Sequence, residues 1–283
     1  MDSNNLLGDF LRARREATSP AQAGFLHAPS RRTPGLRREE VAMLAGVSGS
    51  YYVRLEQGRE RNPSAQVLSA LARVLQLDPD ATAYLYSLAH PWARPQVVTG
   101  VMEQVSPSLL RLVNLSRHAP ALVLGRRFEV LAANPLVEAL YEGMGCLDNC
   151  TRMIYLGTNA ADFYPDWEKA ARAKTAQLRT AVAADPDDPY LLDLVAELTA
   201  HSADFRRIWA LHEVQTRGNE VKELRHPRLG DLTLSWEVLS VSGTGQKFVV
   251  LAADPDSPSD QALRELAASL NEAAVPAAGG PGR

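Results

Sequence analysis

The sequence predicts two domains of different class: an all-α domain containing a helix-turn-helix over residues 1–92, and an α+β domain with a five-stranded antiparallel sheet over residues 105–272. Three observations lead there. The stretch LRREEVAMLAGVSGSYYVRLEQG, residues 36–58, sets two short amphipathic segments on either side of Ala45-Gly46-Val47, the arrangement of a helix-turn-helix. Leu232, Leu234, Trp236 and Val238 alternate with polar neighbours, the period-two signature of a strand with one buried face. Finally, His90-Pro91-Trp92-Ala93-Arg94-Pro95 interrupts a helical pattern, so residues 93–104 read as a linker.

The elements of the first domain follow in order. Leu6–Arg15 carries Leu7, Phe10 and Leu11 on one face and reads as a helix. Thr18–Gly35 contains three prolines, two glycines and the pair Arg31-Arg32, and reads as a long loop. Its basic end suits either contact with a DNA backbone or minor groove, or a solvated insertion. Within the motif, Val41, Leu44 and Ala45 fall at i, i+3 and i+4 and predict the buried face of its first helix. Gly46 supplies the positive φ needed to leave that helix, and Val47 fills the space before the next. Ser48 is the predicted N-cap of the second helix. There Tyr52 and Leu55 point inward, and Gly58 is the stop. Ser64 caps a fourth helix with Val67, Leu68, Leu71, Ala72 and Leu75 as its buried stripe, and Leu77-Asp78-Pro79 opens a fifth that reaches Ala89.

A helix-turn-helix presents its second helix to the major groove of DNA, and here Gly49, Ser50, Tyr51 and Arg54 are left on that helix's outer face. The charge distribution agrees. Residues 1–90 hold eleven arginines against nine acidic residues, while the remainder holds 19 basic residues against 24 acidic ones. Arg31, Arg32, Arg37, Arg38, Arg54, Arg59 and Arg61 are able to share one face, which is what DNA binding requires of a module of modest net charge. The acidic remainder is not expected to lie on DNA. The motif resembles the λ-repressor-like DNA-binding domain of phage repressors and of the xenobiotic-response-element type of bacterial regulators. Carried across position by position, the resemblance implies base-reading positions at Gly49, Ser50, Tyr51 and Arg54, behind the cap Ser48. It also implies a phosphate contact at Arg38, beside Arg37, and backbone contacts at Arg59 and Asn62. Gly49 departs from the polar residue common at its position.

With 46% hydrophobic and 22% charged residues, the 283-residue chain has the composition of an ordinary folded protein with room for two cores. No apolar run approaches the ~20 residues of a membrane span. The start, MDSNNLLGDF, lacks a signal-peptide core. The expectation is a cytoplasmic bacterial protein, nucleoid-associated when on DNA, with no membrane partner. Cys146 and Cys150, the two cysteines, are either ordinary reduced thiols or a redox pair on one helical turn. Too few further ligands surround them for zinc, and no metal is assigned.

In the second domain Ser106–Arg117 reads as helix, Ala121–Leu124 and Phe128–Ala132 as strands around Gly125-Arg126, and Asn134–Tyr141 as a helix capped by Asn134. Ala161–Ala184, opened by Asp166-Trp167, together with Pro189–Ala200 and Ser202–Val214, reads as helix. Glu220–Arg225, Asp231–Val241 and Gln246–Ala253 read as strands, followed by a helix from Ser259 to Asn271 and a disordered tail over 273–283. Two strands, inserted helices and three strands predict one antiparallel sheet backed by helices, a natural cup for a small molecule. The same order is that of PAS-type sensor domains.

The phrases FEVLAANPLVEALY, DFYPDWEKAAR, FRRIWALHEV, ELRHPRLGDLTLSWEVL and DPDSPSDQALREL are similar to the ligand-binding domain of MmyB-like regulators. In that family the domain follows the same type of helix-turn-helix, including a loop ending RRTPGLRREEVA. The likeness covers about residues 5–270, departing from the family at Cys150 and at Ala133. It implies a PAS-like pocket for a fatty acid or another elongated apolar molecule, and no other cofactor. Phe205, Ile208, Trp209 and His212 recur at i, i+3, i+4 and i+7, an apolar wall ending in a polar group that serves either as cavity lining or as plain core. A buried carboxylate needs a cation or several donors. Arg152, Arg207, His212, Arg225 and His226 are candidates, with His212 facing the pocket and Arg152 or Arg225 as charge partner. Tyr164, read first as core, and Trp236 complete the candidate lining.

Nothing resembles a nucleophile elbow, phosphate loop, dinucleotide fingerprint or zinc-protease helix, and no catalytic residue is assigned. The expected partners are operator DNA, a small-molecule ligand and a second copy of the chain, because one helix-turn-helix contacts too few base pairs to select a promoter. A second domain that only dimerises or binds a protein stays open as the alternative.

Overall fold

The computed structural model describes residues 5–23, 35–60, 62–89, 104–214 and 220–274. Arg31, Arg32, Arg61, the stretch 93–103 and the tail beyond residue 274 therefore lie outside the described residues. In chain order the elements are α1 (Leu6–Ala17), α2 (Arg38–Ala45), α3 (Gly49–Glu56), α4 (Ala65–Val74), α5 (Pro79–Ala89), α6 (Pro107–Leu115), β1 (Ala121–Leu124), β2 (Val130–Ala133) and α7 (Pro135–Leu140). They continue with α8 (Cys150–Leu156), α9 (Ala160–Phe163), α10 (Trp167–Ala184), α11 (Pro189–His201), α12 (Ala203–Trp209), β3 (Glu220–His226), β4 (Gly230–Ser240), β5 (Lys247–Ala252) and α13 (Pro258–Ala274). They divide between two compact units, one drawn from residues 1–99 and 172–216, the other from 100–171 and 217–283. Among the described residues no helix is long and apolar enough to cross a membrane.

The first unit is all-helical. Its core gathers Phe10 and Leu11 of α1, Val41 of α2, Tyr52 and Leu55 of α3, Leu68 and Leu71 of α4, and Tyr84 and Leu85 of α5. Phe10 meets Tyr84 edge-to-face at 5.1 Å. Gly46 turns the chain out of α2 at φ +68°, with its N–H bonded back to Met43 O. One expectation fails here. Leu44 is 38% exposed, as is Met43 at 64%, and the buried face of α2 is Val41 and Ala42. Val41 is buried as expected and Ala45 is half-buried against the core, so the buried face of α2 is turned toward Ala42 and away from Leu44.

The second unit contains a five-stranded sheet in the order β2-β1-β5-β4-β3, every neighbouring pair antiparallel. Alternate residues Leu232, Leu234 and Trp236 of β4 are buried, joined by Leu224 of β3 and by Val249 and Leu251 of β5. α7 and α13 pack together through Leu136, Ala139, Leu266 and Ala267. Asn134 does more than cap α7. Its Oδ1 accepts the N–H groups of Ala121 and Val137, and its Nδ2 donates to Ser116 O and Ala119 O.

Several elements differ from expectation: the strand expected over Phe128–Ala132 is β2, Val130–Ala133, with Phe128 in the turn before it at φ +67°. Residues 161–184 are not one helix but α9 and α10, separated at Tyr164-Pro165-Asp166, where proline cannot continue a helix. The helix expected over Ser202–Val214 ends at Trp209, so His212, at φ +51°, is not the last member of a helical stripe. α8 was not anticipated; Asn149 caps it, accepting the N–H groups of Thr151 and Arg152.

Candidate DNA-reading helix and ligand cavity

The candidate reading helix, α3, is held by its N-terminal cap and by its buried face. Ser48 Oγ accepts the Tyr51 N–H at 3.2 Å, satisfying one of the donors that a helix start leaves open. Tyr52 and Leu55 are wholly buried and fix its rotation. That leaves Ser48, Gly49, Ser50 and Arg54 exposed and Tyr51 half-buried, with the Arg54 guanidinium 5.7 Å from the Tyr51 ring centre. A side chain added at Gly49 would enter open space.

Beneath this face lies a charged cluster that the sequence did not announce. Glu56, wholly buried, accepts Arg15 Nε at 2.6 Å and Arg38 Nε at 2.7 Å. Burial works against its charged form, but the hydrogen bonds from Arg15 and Arg38 outweigh this and hold the carboxyl below its usual range. Arg38, expected to meet phosphate, is thus tied to Glu56 while its side chain stays 42% exposed. Arg37 is exposed; its backbone N–H donates to Glu40 Oε2 at 2.8 Å, part of the capping box of α2. Arg59 and Asn62 are exposed.

The first unit also contains a cavity of about 560 Å3, within the ~300–1,000 Å3 usual for small-molecule sites. Leu6 and Asp9 of α1 and Tyr84 of α5 line one side. Arg179 and Val182 of α10, Leu192, Val195 and Ala196 of α11, and Trp209 and His212 line the other. Leu192 and Ala196 are exposed at its mouth. Arg179 is 4% exposed. Its guanidinium lies 4.0 Å from the Trp209 ring centre, donates to Trp209 O, and lies 3.2 Å from His212 Nδ1. Burial, with Arg179 and Arg14 nearby, depresses His212 to about 4. The ring is therefore neutral at pH 7, and Nδ1 is the acceptor facing Arg179.

The predicted ligand residues separate. Trp209 and His212 line this cavity. Phe205 and Ile208 are fully buried behind it, Phe205 stacked on Trp209 at 5.4 Å. Arg152, Tyr164, Arg225 and Trp236 are not among its lining residues. Arg152 pairs with Asp148 at 3.0 Å, and Tyr164 is buried against Phe163. Trp236 is buried under the Lys222 ammonium. Arg225, expected to be a buried charge partner, is exposed and paired with Asp231; it points to the solvent side because Leu224 and His226 take the inward positions of β3. Arg207 is exposed beside Asp204. His226 is structural: Nδ1 accepts the N–H groups of Arg228 and Leu229, and Nε2 faces Ala139 O.

Arg179, Asp9, Tyr84 and Glu56 were missed. A signal existed for Arg179, which continues the helical stripe Ala171, Thr175, Leu178 and Val182, where a cation is out of place on an apolar face.

Comparison with known families matches residues 6–85 to a helix-turn-helix domain. No curated protein matches the chain. Residues 105–266, more than half of the chain, match the MmyB-like transcription regulator ligand binding domain, and the chain belongs to that family of DNA-binding transcription regulators.

Proposed function

We propose that the protein is a sequence-specific DNA-binding regulator, acting in the cytoplasm as a homodimer, whose affinity for its promoter changes when a small apolar or fatty-acid-like molecule binds. The observation that carries this is the shared wall of the cavity. Leu6, Asp9 and Tyr84 come from the stretch matched as helix-turn-helix, whereas Arg179, Trp209 and His212 come from the stretch matched as ligand-binding domain. A molecule in this space touches both, so its binding free energy depends on how α1 and α5 are placed. That dependence is the differential interaction a ligand needs to shift an equilibrium. The strand order, with helices inserted between β2 and β3, supports the PAS-like reading of the second unit.

Two copies related by a two-fold axis would meet half-sites about one DNA turn, ~34 Å, apart. The ligand's effect is expected at ~1–3 kcal/mol of coupling. Selecting bound fragments from a random DNA pool gives the operator, and fluorescence anisotropy with and without long-chain carboxylates then measures the effect. An operator affinity that no bound ligand alters sinks the coupling. A second reading, a domain that only dimerises or docks a protein, draws on Leu110, Leu112 and Leu115 of α6, exposed by 39%, 52% and 70%. It predicts a dimer whose DNA affinity is indifferent to ligands.

A further inference from the structure

The cavity holds a cation that the protein does not neutralise in contact. Arg179 is nine-tenths buried or more, yet among the described residues no carboxylate lies within ion-pair distance of it. Its contacts are the Trp209 carbonyl, the His212 ring, the Tyr84 hydroxyl and the indole face, all uncharged, and Arg14 adds a second positive charge nearby. Burial lowers its pKa only to about 10, so it stays protonated at neutral pH. Among the described residues two donors, its own Nε and the indole N–H of Trp209, are buried without an acceptor. A buried charge without a counter-charge, next to idle donors, is expensive to maintain in a folded protein. A site that awaits an anion removes that expense when filled. Apart from Asp9 and Thr199, the rest of the lining is apolar, Leu6, Val182, Leu192 and Val195 among it.

One acid belongs to the same cavity. Asp9 lines it from α1 and attracts Arg179 across a distance longer than an ion pair. Asp9 and Arg15 share α1, and Arg15 holds Glu56 of the reading helix at 2.6 Å, so force on Asp9 acts on an element braced against α3.

Resting on the ligand reading of this cavity, we propose that Arg179 anchors the head group of a singly charged anionic amphiphile, and that this anion displaces Asp9 from the field of the guanidinium. The tail lies along α11 and leaves toward Leu192. A dianion is disfavoured because Asp9 already faces the same cation, while the charge of Arg14 is offset by Asp78 and Glu213. The ligand is read by the helix-turn-helix through repulsion of α1.

The test uses the full chain and three probes of one tail length below their micelle concentrations: dodecanoate, dodecan-1-ol and dodecyltrimethylammonium. Calorimetry is expected to give dodecanoate about tenfold or more tighter binding than the alcohol, since a charge-assisted hydrogen bond is about twice as strong as a neutral one. Arg179→Gln should erase that preference and Arg179→Lys should keep part of it. Asp9→Asn should tighten dodecanoate binding while shrinking its effect on DNA affinity, a readout a merely structural role would not move. Equal binding of acid and alcohol, preference for the ammonium, or an unchanged ratio in Arg179→Gln overturns the anchor. If Arg179→Gln fails to fold, the ratio in Arg179→Lys and the Asp9→Asn response decide. Ala196→Trp, which fills the mouth, separates the two failures. Probe binding lost in Ala196→Trp but blind to charge sinks only the anchor, whereas binding indifferent to Ala196→Trp sinks the cavity as the ligand site.

Discussion

Arg15 of α1 and Glu56 of α3, 41 residues apart, meet through a 2.6 Å hydrogen bond in the interior of the helix-turn-helix unit. The Glu56 carboxylate is fully enclosed and is also held by Arg38. A buried pair of this kind adds little net stability over an apolar packing, but removing one partner strands the other. Glu56→Ala should therefore lower the unfolding free energy by about 3–5 kcal/mol, measured by urea denaturation at pH 7. The pH dependence carries a second signature. The Glu56 carboxyl is held below its usual range, so its contribution is complete above the ordinary carboxylate value and is lost as pH falls through the folded one. The variant should lack that acid limb.

Asn134 joins four backbone groups of the second unit and is 2% exposed. Asn134→Ala leaves the Ala121 N–H and the Ser116 C=O without this partner, at about 1–3 kcal/mol each where no water replaces it, while the Val137 N–H keeps Asn134 O and Ala119 O keeps the Ser116 hydroxyl. The expected loss is about 2 kcal/mol or more by denaturation. Asn134→Asp, which keeps the acceptor and loses the donors, should fall between.

Gly46 sits at φ +68° with open space where a side chain would go. Gly46→Ala is thus a test of backbone strain alone, and should cost about 1–2 kcal/mol. Gly49→Ala, in equally open space but within α3, should cost nothing; a comparable loss at both positions would contradict the turn geometry.

Arg54 is exposed on the outer face of α3. If it reads a guanine edge, Arg54→Ala should weaken operator binding by about 1–3 kcal/mol and random DNA by less. Equal losses on both in anisotropy titrations would reassign it to phosphate contact.

His212 titrates near 4 in the folded chain against an ordinary 6.5. The unfolded chain therefore takes up a proton first as pH falls, and His212's share of stability, whole above about 6.5, is lost between there and about 4. The slope of unfolding free energy against pH across that interval should flatten in His212→Gln.

Much of the architecture was written in short-range signals. Ser48 and Ser64 cap the helices they precede, Gly46 makes the turn, Asn134-Pro135 opens α7, and alternation in β4 marks the inward residues of the sheet. Each operates within one helical turn or one strand. The failures have the same scale. Spacing alone puts Leu44 on a buried face, yet the core is met by Val41 and Ala42 instead. His212 continued a stripe by number, yet the helix stops at Trp209 and the backbone reverses before it.

What the amino-acid order determined by itself is the class of each region, the exposed side of the reading helix and the identity of the family. Only the tertiary structure decided which polar groups share a space. Asp9, Tyr84, Arg179 and His212 line one cavity although they come from α1, α5, α10 and the segment after α12. Helix and strand propensities act between near neighbours, whereas the partners of a buried charge are chosen by how whole helices pack, and that choice leaves no local trace.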